Sequence, residues 1–178
     1  MAPLSNHLSM CVASIWDGQP AHPGEVVTLT LAVEEVGLRI EIDAPFHGDP
    51  PPPTAPGPTW GLWAFEVVEL FVLGDDGHYT ELELGPHGHH LLLQLQGPRH
   101  ILRHSLPVKH SAKIEGDRWL GQAMLPWDVL PVGALRANAY AIHGLAAERR
   151  HLAWAPVPGQ GPDFHRLDQF RPMGLSRP

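Results

Sequence analysis

Paired carboxylates, clustered histidines and tryptophans are the side chains of this 178-residue chain that could do chemistry. Glu81 and Glu83 stand two positions apart. On a strand they would share a face, roughly 6.5 Å from each other, close to the carboxyl spacing used in glycoside hydrolysis. Alternating glutamates are ordinarily the solvated side of a strand, and that is the expectation here. Glu66 and Glu69 would lie on opposite faces if Leu62–Leu73 is one strand. A carboxylate on a covered face costs several kcal/mol unless it is paired. Either one face is an open concave surface that holds a ligand, or each Glu has a partner such as Arg136, Arg149 or a bound cation. The structural ion pair is the stronger expectation.

Thirteen histidines include a group at His87, His89 and His90 around a glycine turn, with His78 close by. No HExxH or comparable zinc spacing accompanies them, so no metal site is assigned. Cys11 is the only cysteine, which excludes an internal disulfide, a cysteine-zinc site and an iron–sulfur cluster. It sits in an apolar stretch with no activating neighbour, and a buried, inert thiol is expected. With no Gly-x-Ser-x-Gly elbow and no phosphate-binding glycine loop, no catalytic residue is assigned. The chain reads as a non-enzyme.

These residues must be positioned by strands. Val27 to Val33 alternates apolar and polar side chains, as does Gly37 to Asp43 after Glu34-Glu35, which predicts a hairpin with one apolar face. Leu62–Leu73 is apolar on both faces, as a central strand would be. His78 to Leu84 and His89 to Gln96 follow, separated by Gly-containing turns. Shorter strands are predicted near Ile101–Leu106, Val108–Ile114 and Arg118–Leu125, with one 3₁₀ turn at Trp127–Leu130. Leu135 to Trp154 fits either an amphipathic helix or a strand–turn–strand, and Gly144 counts against a single helix. Residues 44–61, with four consecutive prolines at Pro50 to Pro53, read as a Pro-rich crossover loop. The prediction is one all-β sandwich domain over 1–178, of about ten mostly antiparallel strands, with 1–9 and 173–178 as flexible ends.

Composition narrows the partners. Glycine and proline together make about a fifth of the chain, which favours a turn-rich β architecture. A net charge of −7 with scattered basic residues argues against nucleic acid and against a polybasic membrane patch. No apolar run approaches the ~20 residues of a membrane span, and no secretory signal is evident. The expected compartment is cytoplasmic, and the identity of any protein partner is left open.

The ordered motifs carry a resemblance. Leu62 to Leu93 (LWAFEVVELFVLGDDGHYTELELGPHGHHLLL) resembles the signature segment of carbohydrate-binding-module family 9 and its DOMON-like relatives. The pieces Ala123-Met124-Leu125-Pro126-Trp127, Arg136-Ala137-Asn138, Trp154-Ala155-Pro156 and Phe164-His165 also match that pattern. Trp16-Asp17-Gly18, Asp43-Ala44-Pro45-Phe46, Pro86-His87-Gly88, Ala141-Ile142-His143-Gly144 and Pro162-Asp163-Phe164-His165 are similar, in turn, to motifs of an uncharacterised family typified by a vertebrate chromosome-4 open-reading-frame product.

The resemblance implies a β-sandwich and resolves Leu135–Trp154 toward strands. It implies no assigned activity, and sugar binding is carried only by analogy of fold. On that analogy Trp63 and Trp154 would stack on a sugar across a shared cleft, with Trp60 as a further aromatic. Glu66, Glu69, Arg136, Asn138 and His165 would supply polar contacts. Trp119 and Trp127 are expected in the core. No cofactor is assigned, although the resemblance admits a structural calcium on oxygen ligands, for which Asp75-Asp76 is the only acidic loop. The function implied is a non-catalytic module binding a glycan or small polar ligand. The alternative is an intracellular protein-interaction scaffold that keeps the fold without a sugar site.

Overall fold

Period-two alternation sets which side chains meet between two sheets. The computed structural model describes residues 6–175 and 177, and within them the chain forms thirteen strands. They are β1 (His7–Val12), β2 (Ser14–Ile15), β3 (Val27–Glu34), β4 (Gly37–Pro45), β5 (Val67–Leu73), β6 (His78–Leu84) and β7 (His90–Gln96). After these come β8 (Ile101–Arg103), β9 (Lys109–Glu115), β10 (Arg118–Pro126), β11 (Arg136–His143), β12 (Arg150–Ala153) and β13 (Arg171–Pro172). One sheet runs β1-β3-β4-β10-β9. The other runs β2-β12-β11-β5-β6-β7-β8, with β13 on β11, and every strand pairing is antiparallel. The all-β sandwich is as expected.

The predicted hairpin is β3–β4, with Leu29, Leu31, Leu38, Ile40 and Ile42 buried toward the second sheet. From that sheet Val68, Leu70, Val72, Leu82, Leu84, Ala139 and Leu152 meet them. Each such aliphatic contributes about 1.5–3 kcal/mol by leaving water. Trp119 lies fully inside this core, and a Cβ at Gly121 would come within 2.7 Å of its ring, so glycine makes room for the indole.

Three sequence expectations change, on Leu62–Leu73, Cys11 and the chain ends, while Leu135–Trp154 is strands as the resemblance implies. Leu62–Ala64 is a 3₁₀ turn and β5 begins only at Val67, so Leu62–Leu73 is not one strand. Cys11 is exposed, because β1 is an edge strand whose inward positions are Met10 and Val12. Leu135–Trp154 forms β11 and β12. Gly144 ends β11 with φ +81°, and a Cβ there would strike the Glu148 carbonyl at 2.4 Å. The ends expected to be flexible are partly built in. His7 already pairs with Ala32, and Met173 is buried, while residues 1–5, 176 and 178 lie outside those described.

The second sheet is covered on both faces. Its far side carries Val67, Phe71, Leu73, Tyr79, Leu91, Leu93, Leu95, Tyr140 and Ile142 beneath a roof of Leu62, Val157, Phe164 and Phe170 from the connecting segments. Among the described residues no helix is long and apolar enough to cross a membrane.

Candidate functional site

Between that roof and the sheet a hollow of about 430 Å³ remains open, lined by Trp60, Trp63, Glu69, Phe71, Glu81, Arg99, His151, Phe164 and His165 among others. The Pro-rich crossover delivers its rim. The crossover is pinned where Thr59 N–H donates to the His90 carbonyl (2.8 Å) and His90 N–H to that of Gly57 (3.0 Å). Trp60 and Trp63 then meet edge to face at 5.2 Å, 55% and 42% exposed. Large indoles left in water at a concave rim are the arrangement that stacks on the apolar face of a ligand.

The opposite wall is held by a relay. The Arg99 main-chain N–H donates to the Tyr79 hydroxyl (3.1 Å), and that hydroxyl lies 2.7 Å from His165 Nδ1. The hydroxyl oxygen accepts from Arg99, and a hydroxyl proton directed at Nδ1 goes with the neutral tautomer that carries its proton on Nε2. Burial, helped by the Arg99 charge, pushes the His165 pKa down to about 4, so the ring is neutral at physiological pH. Arg99 holds a left-handed backbone (φ 63°), and its guanidinium pairs with Asp163 at 2.7 Å. Phe164 stacks on Tyr140 at 3.8 Å. Tyr140 in turn accepts from Asn138 Nδ2 (2.8 Å) and donates to the Phe164 carbonyl (3.0 Å).

The floor is acidic. Glu69 on β5 faces Glu83 directly across the ladder, and Glu81 is the next residue of β6 on that side. Directly opposed side chains have Cβ atoms about 4.5–5.5 Å apart. The three are 2%, 0% and 6% exposed for Glu69, Glu83 and Glu81, so Glu81 and Glu83 are not a solvated face. Strand alternation is intact, but the roof covers the face that water would otherwise reach. Among the described residues no ion pair includes any of them, or Glu66. The expected structural salt bridge is absent there.

Neither Glu83 oxygen makes a hydrogen bond to a protein donor. Burial, then the charges of Glu69 and Glu81, hold Glu83 well above the usual carboxylate range. Burial and the Glu81 charge also raise Glu69, while burial lifts Glu81 to about 7.

Four of the eight predicted site residues share the hollow: Trp60, Trp63, Glu69 and His165. The other four do not. Trp154 stands on the same face of its chain as Leu152, toward the core between the sheets, under the Arg171 guanidinium at 5.1 Å; it shares no cleft with Trp63. Glu66 precedes β5, and its carboxylate accepts from the His47 (2.9 Å) and Asp49 (3.2 Å) amides, fastening the crossover. Arg136 pairs with Leu73 and Pro172, four strand positions along from Glu69, or roughly 13 Å.

Asn138 is fully buried and engaged at both ends, with Tyr140 and the Ala155 carbonyl at Nδ2 and the Ala139 and Ala155 amides at Oδ1. It has no capacity left for a ligand. Sequence reasoning missed Arg99, His151, Phe164 and the role of Glu81. Only Glu81 had a legible signal, its place on the strand after Glu69.

The acidic loop named for a calcium is engaged within the protein. Asp75 accepts from the Ala134 amide (2.9 Å) and Asp76 from His78 (2.8 Å), and no described group of three His, Cys, Asp or Glu could hold a metal ion.

Relatives share this chain nearly end to end. The UPF0462 protein C4orf33 homolog of Mus musculus is 42% identical over 170 residues, covering 90% of this chain and 88% of its own. The Homo sapiens protein is 41% identical, covering 90% and 85%, and the Danio rerio homolog matches at 41% with the same coverage. The chain belongs to the UPF0462 family. No family model matches it.

Among solved structures, a "putative carbohydrate-binding protein" from Bacteroides uniformis superposes with a TM-score of 0.73 at 18% identity, covering 93% of this chain and 84% of that one. A family 9 carbohydrate-binding module from Caldicellulosiruptor kristjanssonii, solved with cellotriose, gives 0.53 at 11% identity, covering 88% and 75%. At these identities the likeness is one of fold. The UPF0462 chain thus has a carbohydrate-binding-module-like sandwich.

Proposed function

We propose that this UPF0462 protein is a non-catalytic binding module that takes a sugar or similar small polar ligand in the hollow on the outer face of its second sheet. The observation that carries the reading is the pair of exposed indoles, Trp60 and Trp63, at the rim of a concavity whose wall and floor are polar and desolvated. The rings would stack on the ligand, and Glu69, Glu81, Arg99, His151 and His165 would meet its hydroxyls. The fold shared with carbohydrate-binding modules supports this reading without naming a ligand. The partner of Trp63 across the cleft is the Phe164–His165 wall, in place of Trp154. A cytoplasmic location belongs to the same reading and rests on the single cysteine.

Ligand-observed NMR and calorimetry with glucose, cellotriose and a wider saccharide panel test it. Trp63→Ala is expected to abolish binding and leave the melting temperature nearly unchanged, because the ring is exposed. A panel with no saccharide bound at millimolar concentration overturns the sugar reading in favour of a protein-interaction scaffold.

A further inference from the structure

The acidic floor says something about charge that the rim does not. Glu69 and Glu81 line the hollow, and Glu83 stands behind them with both oxygens unserved by any protein donor. Neither nearby cation forms an ion pair with the trio, although the Arg99 charge acts on Glu81 and the Arg149 charge on Glu69. Arg99 is paired with Asp163, and Arg149 donates to the carbonyls of Gly144 (3.0 Å) and Trp63 (2.6 Å). The other titratable groups at the floor cannot neutralise it. His151 and His165 are kept neutral by burial, and Tyr79 and Tyr140 are hydroxyls engaged with His165 and the Phe164 carbonyl.

An ammonium group delivered from the mouth would supply the missing counter-charge and the missing donors together, three N–H bonds toward a floor of acceptors. The indoles at the rim suit the same group, since their faces attract cations. A metal ion would need three donors converged on a point, which the described residues do not provide.

We propose that the ligand of this hollow carries an ammonium, seated against Glu69 and Glu81 with Glu83 behind them, so that the sugar it takes is an amino sugar. This rests on the binding reading above. When the ammonium arrives, a protonated carboxyl of the trio gives up its proton to water, and the ligand's charge takes its place.

Calorimetry at pH 6.5, where the glucosamine amine is already protonated, with D-glucosamine, D-glucose and N-acetyl-D-glucosamine as probes, repeated in buffers of different ionisation enthalpy, decides the matter. Glucosamine is expected to bind at least tenfold tighter than either neutral sugar and to release protons on binding. Glu81→Gln, and separately Glu69→Gln, should weaken glucosamine at least tenfold more than they weaken glucose, bringing the two sugars to similar affinity. Each variant is checked by its melting curve, and the wild-type comparison stands without them. If glucose or N-acetylglucosamine binds as well as glucosamine, the ammonium is overturned and the binding module survives. If none of the three binds, both fall.

Discussion

Two hollows of similar size lie on opposite outer faces among the described residues, and they differ in how their charges are solvated. The groove over the first sheet, about 510 Å³, is lined by Thr28, Thr30, Glu41, Asp43, Lys113 and Gln122. Its charges are half-exposed and paired along the surface, Arg118 with Asp43 at 2.6 Å and Lys113 with Glu115 at 2.5 Å. Such pairs in water contribute about 0–1 kcal/mol and ask nothing of a ligand. The hollow over the second sheet is a little smaller and roofed, and its carboxyls are buried without cations. Volume does not separate the two faces; the desolvation of their charges does.

The sharpest way to break the contrast is Asn138→Ala. If Asn138 is a strut behind the Tyr140–Phe164 wall, as its four hydrogen bonds indicate, the change should cost about 3 kcal/mol in a denaturant melt, from several stranded partners at about 1 kcal/mol each. A ligand contact would cost binding and no stability. Next, Glu83→Gln should stabilise the protein by about 1 kcal/mol at pH 8, because it removes a carboxylate the fold must otherwise keep protonated.

The sign of the pH dependence follows from linkage. Above pH 4.5 the unfolded chain ionises these glutamates while the folded state retains its protons. Their stabilising contribution is therefore present in acid and is lost as pH rises, through about 7 for Glu81. Buried histidines such as His165 drive the opposite trend, between 6.5 and about 4. The readout is thus the difference between variant and wild type, which should widen from pH 5 to pH 8. Asp43→Asn, on the solvated groove, is expected to stay within about 0.5 kcal/mol at every pH. An equal pH-dependent gain there would erase the distinction between the faces.

Alternation along the chain made much of this legible. The β3–β4 hairpin and β6 fall where period two predicts them, since their side chains sort between a core and its opposite. What alternation reports is two faces; it does not report what lies over each. Glu81 and Glu83 look solvated because the segment that covers them, around Val157 to Phe170, is remote in sequence. The same limit hid Phe164 and Arg99. Leu62–Leu73 reads as a strand because its apolar run is nearly continuous, but Trp63 and Ala64 stand exposed in the 3₁₀ turn ahead of β5. Trp154 was assigned by resemblance, and the parity of Leu152, Ala153 and Trp154 sends it to the other side of the sheet.

The wall made by Pro162 to His165 has a bearing on biosynthesis. During translation the strands bearing Glu69, Glu81 and Glu83 leave the ribosome well before the segment that roofs them. Until then these carboxyls stand in water, ionised and at no cost. Docking of that segment, anchored by His165 on the Tyr79 hydroxyl, takes those carboxyls out of water and so favours their protonated form.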